Sequence, residues 1–262
     1  MSDLSYAVQL AQKLIRCPSI TPEEAGTLDL LEVELTQLGF NCTRLAFGVG
    51  KDRIDNLYAE VGEGPAHFAF AGHVDVVPVG RAEDWQFDPF QAEIRDGFLY
   101  GRGAADMKSG IAAFVSAIRQ WQKSSNKHTK ISLIITGDEE ADAINGTSKM
   151  VHWMRQNNIY PDMCIVAEPT SQTQIGDNIR NGRRGSLSGS LIVTGQQGHV
   201  AYPHLANNPT SALIQMLAPV TSAELDGGNS NFGPSTAEVA GLSTSSSVTN
   251  VIPETATAIF NI

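Results

Sequence analysis

Apolar side chains recur along this chain in two spacings. Leu4, Ala7, Val8, Ala11, Leu14 and Ile15 follow a 3.6-residue repeat, which predicts an amphipathic helix at the start. Thr21-Pro22-Glu23-Glu24 reads as a second helix start, with Thr21 as cap, Pro22 in the first turn and Glu24 completing a capping box. Leu28, Leu31, Leu35 and Leu38 then form one face, and Gly39 suits the helix end. Short apolar runs predict strands at 54–61, 68–71, 131–136 and 164–167, and helical spacing predicts helices at 110–121 and 147–156. Strands alternating with helices indicate an α/β fold with a largely parallel central sheet.

The pattern changes near residue 180. Residues 1–179 hold 15 basic and 24 acidic side chains, whereas 180–262 hold only 3 and 4. The second stretch is rich in Ser, Thr, Asn and Gly, with strand-like runs at 187–193 and 256–262 and a helix at 209–217. It reads as a smaller α+β domain following a catalytic domain at 1–179. The strand at 256–262 stops with no turn, cap or polar tail, so more chain is expected to follow it.

Charge narrows the partners. The formal net charge of the 262 residues is −10. No Lys/Arg block stands at either end, which argues against a nucleic-acid partner. No secretory leader or apolar run of membrane-spanning length is present, so a cytoplasmic protein without a membrane partner is expected. Cys17, Cys42 and Cys164 have no CxxC spacing and read as reduced thiols.

Acidic and imidazole side chains stand directly behind the apolar runs: His73-Val74-Asp75, Asp106 in GRGAADMKSG, Glu139-Glu140 after Gly137-Asp138, and Glu168 in AEPT. His199 follows further on. In open α/β sheets, sites form beyond the carboxyl ends of the strands. A metal-binding imidazole commonly has a carboxylate on its other nitrogen, which Asp75 supplies to His73. Adjacent residues of an extended segment point to different sides, so one of Glu139 and Glu140 is free to bind metal while the other acts as a base. The bland alternatives are a loop histidine, a solvated acidic pair, and Asp106 as a helix N-cap. No role is assigned to His67, His128, His152 or His204.

Taken together, GHVDVVP, GRGAADMKSG, GDEE and AEPT resemble the dinuclear-zinc amidohydrolases that include aminoacylases, acetylornithine deacetylase and glutamate carboxypeptidases. PSITPEE, the Trp85 to Phe90 stretch, AINGT, GRRGSL and QGHVAYPHLANNP are similar to the branch acting on N-succinyl-L,L-diaminopimelate. Val74 for the usual Thr, and Gly137-Asp138 for Ser-Asp, depart from the family pattern.

The resemblance implies a zinc-peptidase-like catalytic domain, a lid and dimerisation domain, a homodimer, and two zinc ions that cobalt can replace. It implies that His73 and Glu168 hold one zinc, Glu140 the other, and Asp106 both. Glu139 is then the general base and Asp75 orients His73. His199 of a partner subunit steadies the oxyanion, and Arg183, Tyr202 and Asn250 bind substrate; because that substrate carries several carboxylates, Arg183 and Arg184 are expected to anchor it by bidentate pairing. A cis peptide is expected after Asp106, and a last histidine ligand for the second zinc beyond residue 262. Two other readings stay open: a deacylase of a different N-acyl amino acid, and a metal-poor chain that at most dimerises.

Overall fold

The computed structural model describes residues 5–123 and 128–262. Leu4 and residues 124–127 of the SSNKHTK loop lie outside them. The chain divides into two compact units, Met1–Asn178 and Ile179–Ile262.

The first unit opens with α1 (Tyr6–Ile15), capped by Ser5 Oγ, which accepts from the Val8 N–H at 3.4 Å. Its buried side is Leu10, Ala11, Leu14 and Ile15. Helix α2 spans Thr27–Gln37 with Gly26 at its N-cap, five residues later than the Thr21 capping box predicts. Thr21 instead donates its N–H to the Val76 carbonyl at 3.1 Å, Ile20 bridges Val76, and the chain turns at Thr21-Pro22 where the sequence predicts a helix start. Glu24 still serves the helix, since its Oε2 accepts the Leu28 N–H at 3.0 Å. Gly39 follows α2 at φ +78°, a left-handed turn glycine adopts without steric cost.

The sheet consists of β1 (Asn41–Phe47), β2 (Ile54–Val61), β3 (Ala66–His73), β6 (Thr129–Thr136) and β7 (Met163–Val166), in the order β1-β2-β6-β3-β7. Strands β3, β6 and β7 are parallel neighbours, and β2 runs against both β1 and β6. All strands but β2 therefore share one direction. Strand side chains alternate, so each strand contributes to two layers. Leu57, Ala59, Phe70, Ile131, Leu133 and Ile135 face one core with α1, α2 and α3 (Lys108–Trp121). Tyr58, Ala69 and Ile134 face the other core with Met150 and Met154 of α4 (Thr147–Gln156). A short hairpin, β4 (Glu93–Arg95) and β5 (Phe98–Tyr100), turns at Asp96-Gly97, both at positive φ.

The second unit is an antiparallel sheet of β8 (Ser188–Thr194), β10 (Glu238–Thr244) and β12 (Thr255–Asn261), with β12 in the middle. Helix α5 (Pro209–Ser222) covers one face through Leu213 and Leu217, which pack on Ala256 and Ala258. Asn208 caps it, its Oδ1 accepting from Thr210 N–H at 3.0 Å, and Pro209 occupies the first turn. The helix continues through Pro219, beyond the predicted end at 217. Two short strands, β9 (Gly198–His199) and β11 (Val251–Ile252), pair beside this sheet's connections. Among the described residues no helix is long and apolar enough to cross a membrane. The three cysteines are free.

Candidate metal centre

The parallel register places the carboxyl ends of β3, β6 and β7 side by side. His73 is opposite Thr136, and Ala71 is opposite Val166. The loops leaving these ends therefore start close together. His73 closes β3, Glu139 and Glu140 follow β6, and Glu168 follows β7. Asp106 joins them from the loop ahead of α3. It does not cap that helix: the N-cap is Met107, with no side-chain cap bond. The Asp106–Met107 peptide is cis, as expected.

Three carboxylates surround one imidazole nitrogen. His73 Nε2 lies 3.1 Å from Asp106 Oδ1, 3.8 Å from Glu139 Oε2 and 3.9 Å from Glu168 Oε1. Two groups of donor atoms each lie within 4.8 Å of one another: His73, Asp106 and Glu168; and His73, Glu139 and Glu140. His73 is 1% exposed, while the Asp106 and Glu139 side chains are 47% and 42% exposed. The centre thus has a buried floor and, at Asp106 and Glu139, an open side.

Asp75 builds that floor. Its carbonyl oxygen lies 2.9 Å from His73 Nδ1. Its carboxylate accepts the Glu139 N–H at 3.1 and 3.2 Å and the Glu140 N–H at 3.0 Å. Burial alone would raise the Asp75 carboxyl, but bonds from His73 and these two N–H groups outweigh it and hold the group ionised. Burial likewise pushes His73 down; its bonds to Asp75 and the charges of Asp75 and Glu139 reverse this and lift it to about 9. Burial, opposed by His73 and reinforced by Asp106, Glu139 and Asp75, pushes the Glu140 carboxyl up.

The residues fit a divalent cation. A carbonyl is only an acceptor, so Nδ1 of His73 carries the hydrogen and Nε2 of the neutral ring is a lone pair. That lone pair faces carboxylate oxygens, which are acceptors too. Such a cluster is mutually repulsive until a proton or a cation sits within it. One imidazole nitrogen with several carboxylate oxygens is a donor set suited to zinc and related ions.

The remaining sequence-predicted residues lie in the second unit. His199 and Val251 are paired across β9 and β11, and Asn250 directly precedes Val251, its carbonyl accepting the Val200 N–H at 3.1 Å. The Tyr202 ring lies 6.0 Å from that of His199. These three form one group. Arg183 and Arg184 lie apart from it, lining a cavity of about 680 Å³ with Asp226 and Phe232.

Sequence reasoning passed over three buried polar residues of the first unit. Lys108 is fully buried, its Nζ donating to the Leu14 and Cys17 carbonyls at 2.9 and 2.7 Å. Asn56 is buried beside the acidic loop and Asp138 is buried within it. Polar residues inside strand or motif strings were the available signal. His67, given no role, is buried with Nε2 2.8 Å from Ser132 Oγ.

Comparison with known proteins agrees with this architecture. The succinyl-diaminopimelate desuccinylase of Parvibaculum lavamentivorans is 52% identical over 256 residues, covering 97% of this chain and 65% of that protein. The protein of the same name from Rhodospirillum centenum is 49% identical over 257 residues, covering 97% and 67%. The chain thus spans about two thirds of the length of these curated relatives. The M20 family metallo-carboxypeptidase Sso-CP2 of Sulfolobus solfataricus superposes with a TM-score of 0.70 at 18% identity, covering 98% of this chain and 71% of that one. The aminopeptidase PepT of Bacillus cereus gives 0.68 at 19%, covering 98% and 65%. The model for peptidase family M20/M25/M40 matches residues 69–261, a span running from the strand that ends at His73 to the end of β12. On this match and the near-complete coverage by its relatives, the chain belongs to peptidase family M20/M25/M40.

Proposed function

We propose that this chain supplies the metal-holding part of an amidohydrolase that converts N-succinyl-L,L-diaminopimelate and water to succinate and L,L-diaminopimelate. The observation that supports this most is the crowding of Asp106, Glu139 and Glu168 around Nε2 of His73, at strand ends held in one register. The relatives' printed name supplies the substrate.

In this reading two divalent ions, zinc or cobalt, are held by His73 and Glu168 on one side and Glu140 on the other, with Asp106 between. Bound there, such ions lower the pKa of water and polarise an amide carbonyl. The chain's own residues do the rest. Glu139, exposed at the mouth of the cluster, accepts the proton of the attacking water and returns it to the departing amine nitrogen as the C–N bond breaks. Asp75 keeps the His73 ring in one tautomer and ties down the backbone of both glutamates.

In this reading residues 1–179 form the catalytic domain and residues 180–262 a lid and dimerisation domain. Arg183 and Arg184 pair with substrate carboxylates, an interaction guanidinium groups make bidentately. Tyr202 and Asn250 contact the substrate, and His199 donates to the developing oxyanion. The active form is a cytoplasmic homodimer that needs neither nucleic acid nor membrane.

The test is a zinc-loaded preparation assayed on N-succinyl-L,L-diaminopimelate, N-acetylornithine and simple N-acyl amino acids. The reading expects turnover of the first, and Glu139→Gln should abolish it while retaining bound zinc. Turnover confined to another substrate assigns a different deacylase; unchanged turnover in Glu139→Gln removes the base assignment.

A further inference from the structure

The loop between β6 and α4 runs from Gly137 to Gly146, with Glu139 and Glu140 near its start and Ala143-Ile144-Asn145-Gly146 at its end. The metal-centre geometry explains its start and leaves its end unused. Asp138 connects the two. It is 4% exposed, and both of its carboxylate oxygens are spent inside the loop. Oδ1 accepts the Ala143 N–H at 3.2 Å and Oδ2 the Asn145 N–H at 3.0 Å. Its own N–H donates to Thr136 Oγ1 at 3.1 Å, fixing the loop to the last residue of β6.

The closed loop is then fastened to the neighbouring hairpin. Asn145 Nδ2 donates to the Asp52 carbonyl at 2.8 Å. The Asn145 carbonyl accepts from Asn56 Nδ2 at 3.1 Å, and Asn56 lies fully buried in β2. Gly146 has no room for a side chain, because a Cβ there would meet Thr136 Oγ1 and come within 2.8 Å of the Asp138 carbonyl oxygen. The glutamate pair is therefore gripped from two sides, by the Asp75 carboxylate on their backbone and by the Asp138 carboxylate closing the loop behind them.

We propose that Asp138 is a positioning residue for Glu139 and Glu140, with Asn145, Asn56 and Gly146 as its frame. The inference rests on the proposed role of those glutamates at a divalent ion. Asparagine at 138 keeps the shape but replaces one acceptor oxygen with an N–H donor, which must then face the N–H of Ala143 or Asn145. The loop opens, and the glutamates lose their fixed height over His73 while every ligand atom remains present.

The experiment compares the wild-type 262-residue chain, Asp138→Asn, and Met154→Ala as a control whose core defect lies beneath α4. Zinc affinity is read by competition with a chromophoric chelator, and amide exchange at Glu139 and Glu140 is read in the metal-free protein. Asp138→Asn is expected to weaken zinc by roughly 10–100-fold, the range typical of groups that support metal ligands. It is also expected to speed exchange at Glu139 and Glu140. Met154→Ala should lower the melting temperature and leave both readouts in place. Wild-type affinity and exchange in Asp138→Asn overturn the inference, as does the same loss in Met154→Ala at equal destabilisation. If the wild-type chain takes up no zinc, the metal reading itself fails and the inference falls with it; a zinc-binding wild type matched by Asp138→Asn sinks the inference alone.

Discussion

His73 and Asp75 are joined twice in one short span: the Asp75 carbonyl accepts from Nδ1 at 2.9 Å, and the Asp75 carboxylate stands 3.6 Å from the same nitrogen. The first contact sets the tautomer. The second, because the carboxylate also receives the Glu139 and Glu140 N–H groups, ties the imidazole to the acidic loop. Replacing Asp75 by Asn leaves the carbonyl in place and removes one acceptor from the carboxylate's cluster of donors. Zinc affinity is expected to fall by roughly 10–100-fold, measured by chelator competition; an affinity equal to wild type would show that the backbone carbonyl alone orients the ring.

A different buried imidazole governs stability in acid. Burial first, and then neighbouring Lys130, hold the pKa of His67 below 6.5, against the opposing charges of Glu60 and Asp162. Below pH 6.5 the unfolded chain takes up this proton and the folded chain does not, so stability falls with pH until the folded value is reached. Above pH 6.5 both states are neutral here and the contribution is complete. Urea midpoints at about pH 5.5 and 7.5 test this linkage. The wild type is expected to lose more on acidification than His67→Gln, and an equal loss in both would assign the acid sensitivity elsewhere.

Gly146 is the tightest point of the acidic loop. A methyl group there meets Thr136 and Asp138 backbone and side-chain atoms that are themselves fixed by hydrogen bonds. Gly146→Ala is expected to cost about 1–3 kcal/mol, the usual penalty for overpacking. Urea unfolding measures it. Wild-type stability in this variant would mean that the loop yields without strain.

The parts of the fold legible in the sequence are those where burial and local spacing agree. The strand at 54–61 and the helix at 147–156 are observed with those bounds because their flanks carry clear turn residues and their apolar faces meet real partners. Strand β1 escaped because it is an edge strand with one buried residue, Leu45, and with Arg44 and Thr43 interrupting its apolar positions. The β4–β5 hairpin escaped although Asp96-Gly97 is a strong hairpin signal. The shift of α2 to Thr27 has a tertiary cause, since Val76 captures the Thr21 segment through a contact no local pattern records.

At the site, residue types behind strand ends pointed to His73, Asp106, Glu139, Glu140 and Glu168, and the structure brings these together. What spacing could not show was the supporting layer. Asn56 and Lys108 act through backbone groups distant in sequence and Asp138 through N–H groups further along its own loop, and only the packed fold reveals which carbonyls and N–H groups they meet.

The central claim is that this cluster binds divalent cations at Nε2 of His73. Crystals of the chain grown with zinc, measured at the zinc absorption edge, test it directly. The account predicts an anomalous peak bonded to His73 Nε2 with carboxylate oxygens of Asp106 and Glu168 around it, lost in His73→Ala. A map with no peak there, or a peak that persists unchanged without the imidazole, would contradict it.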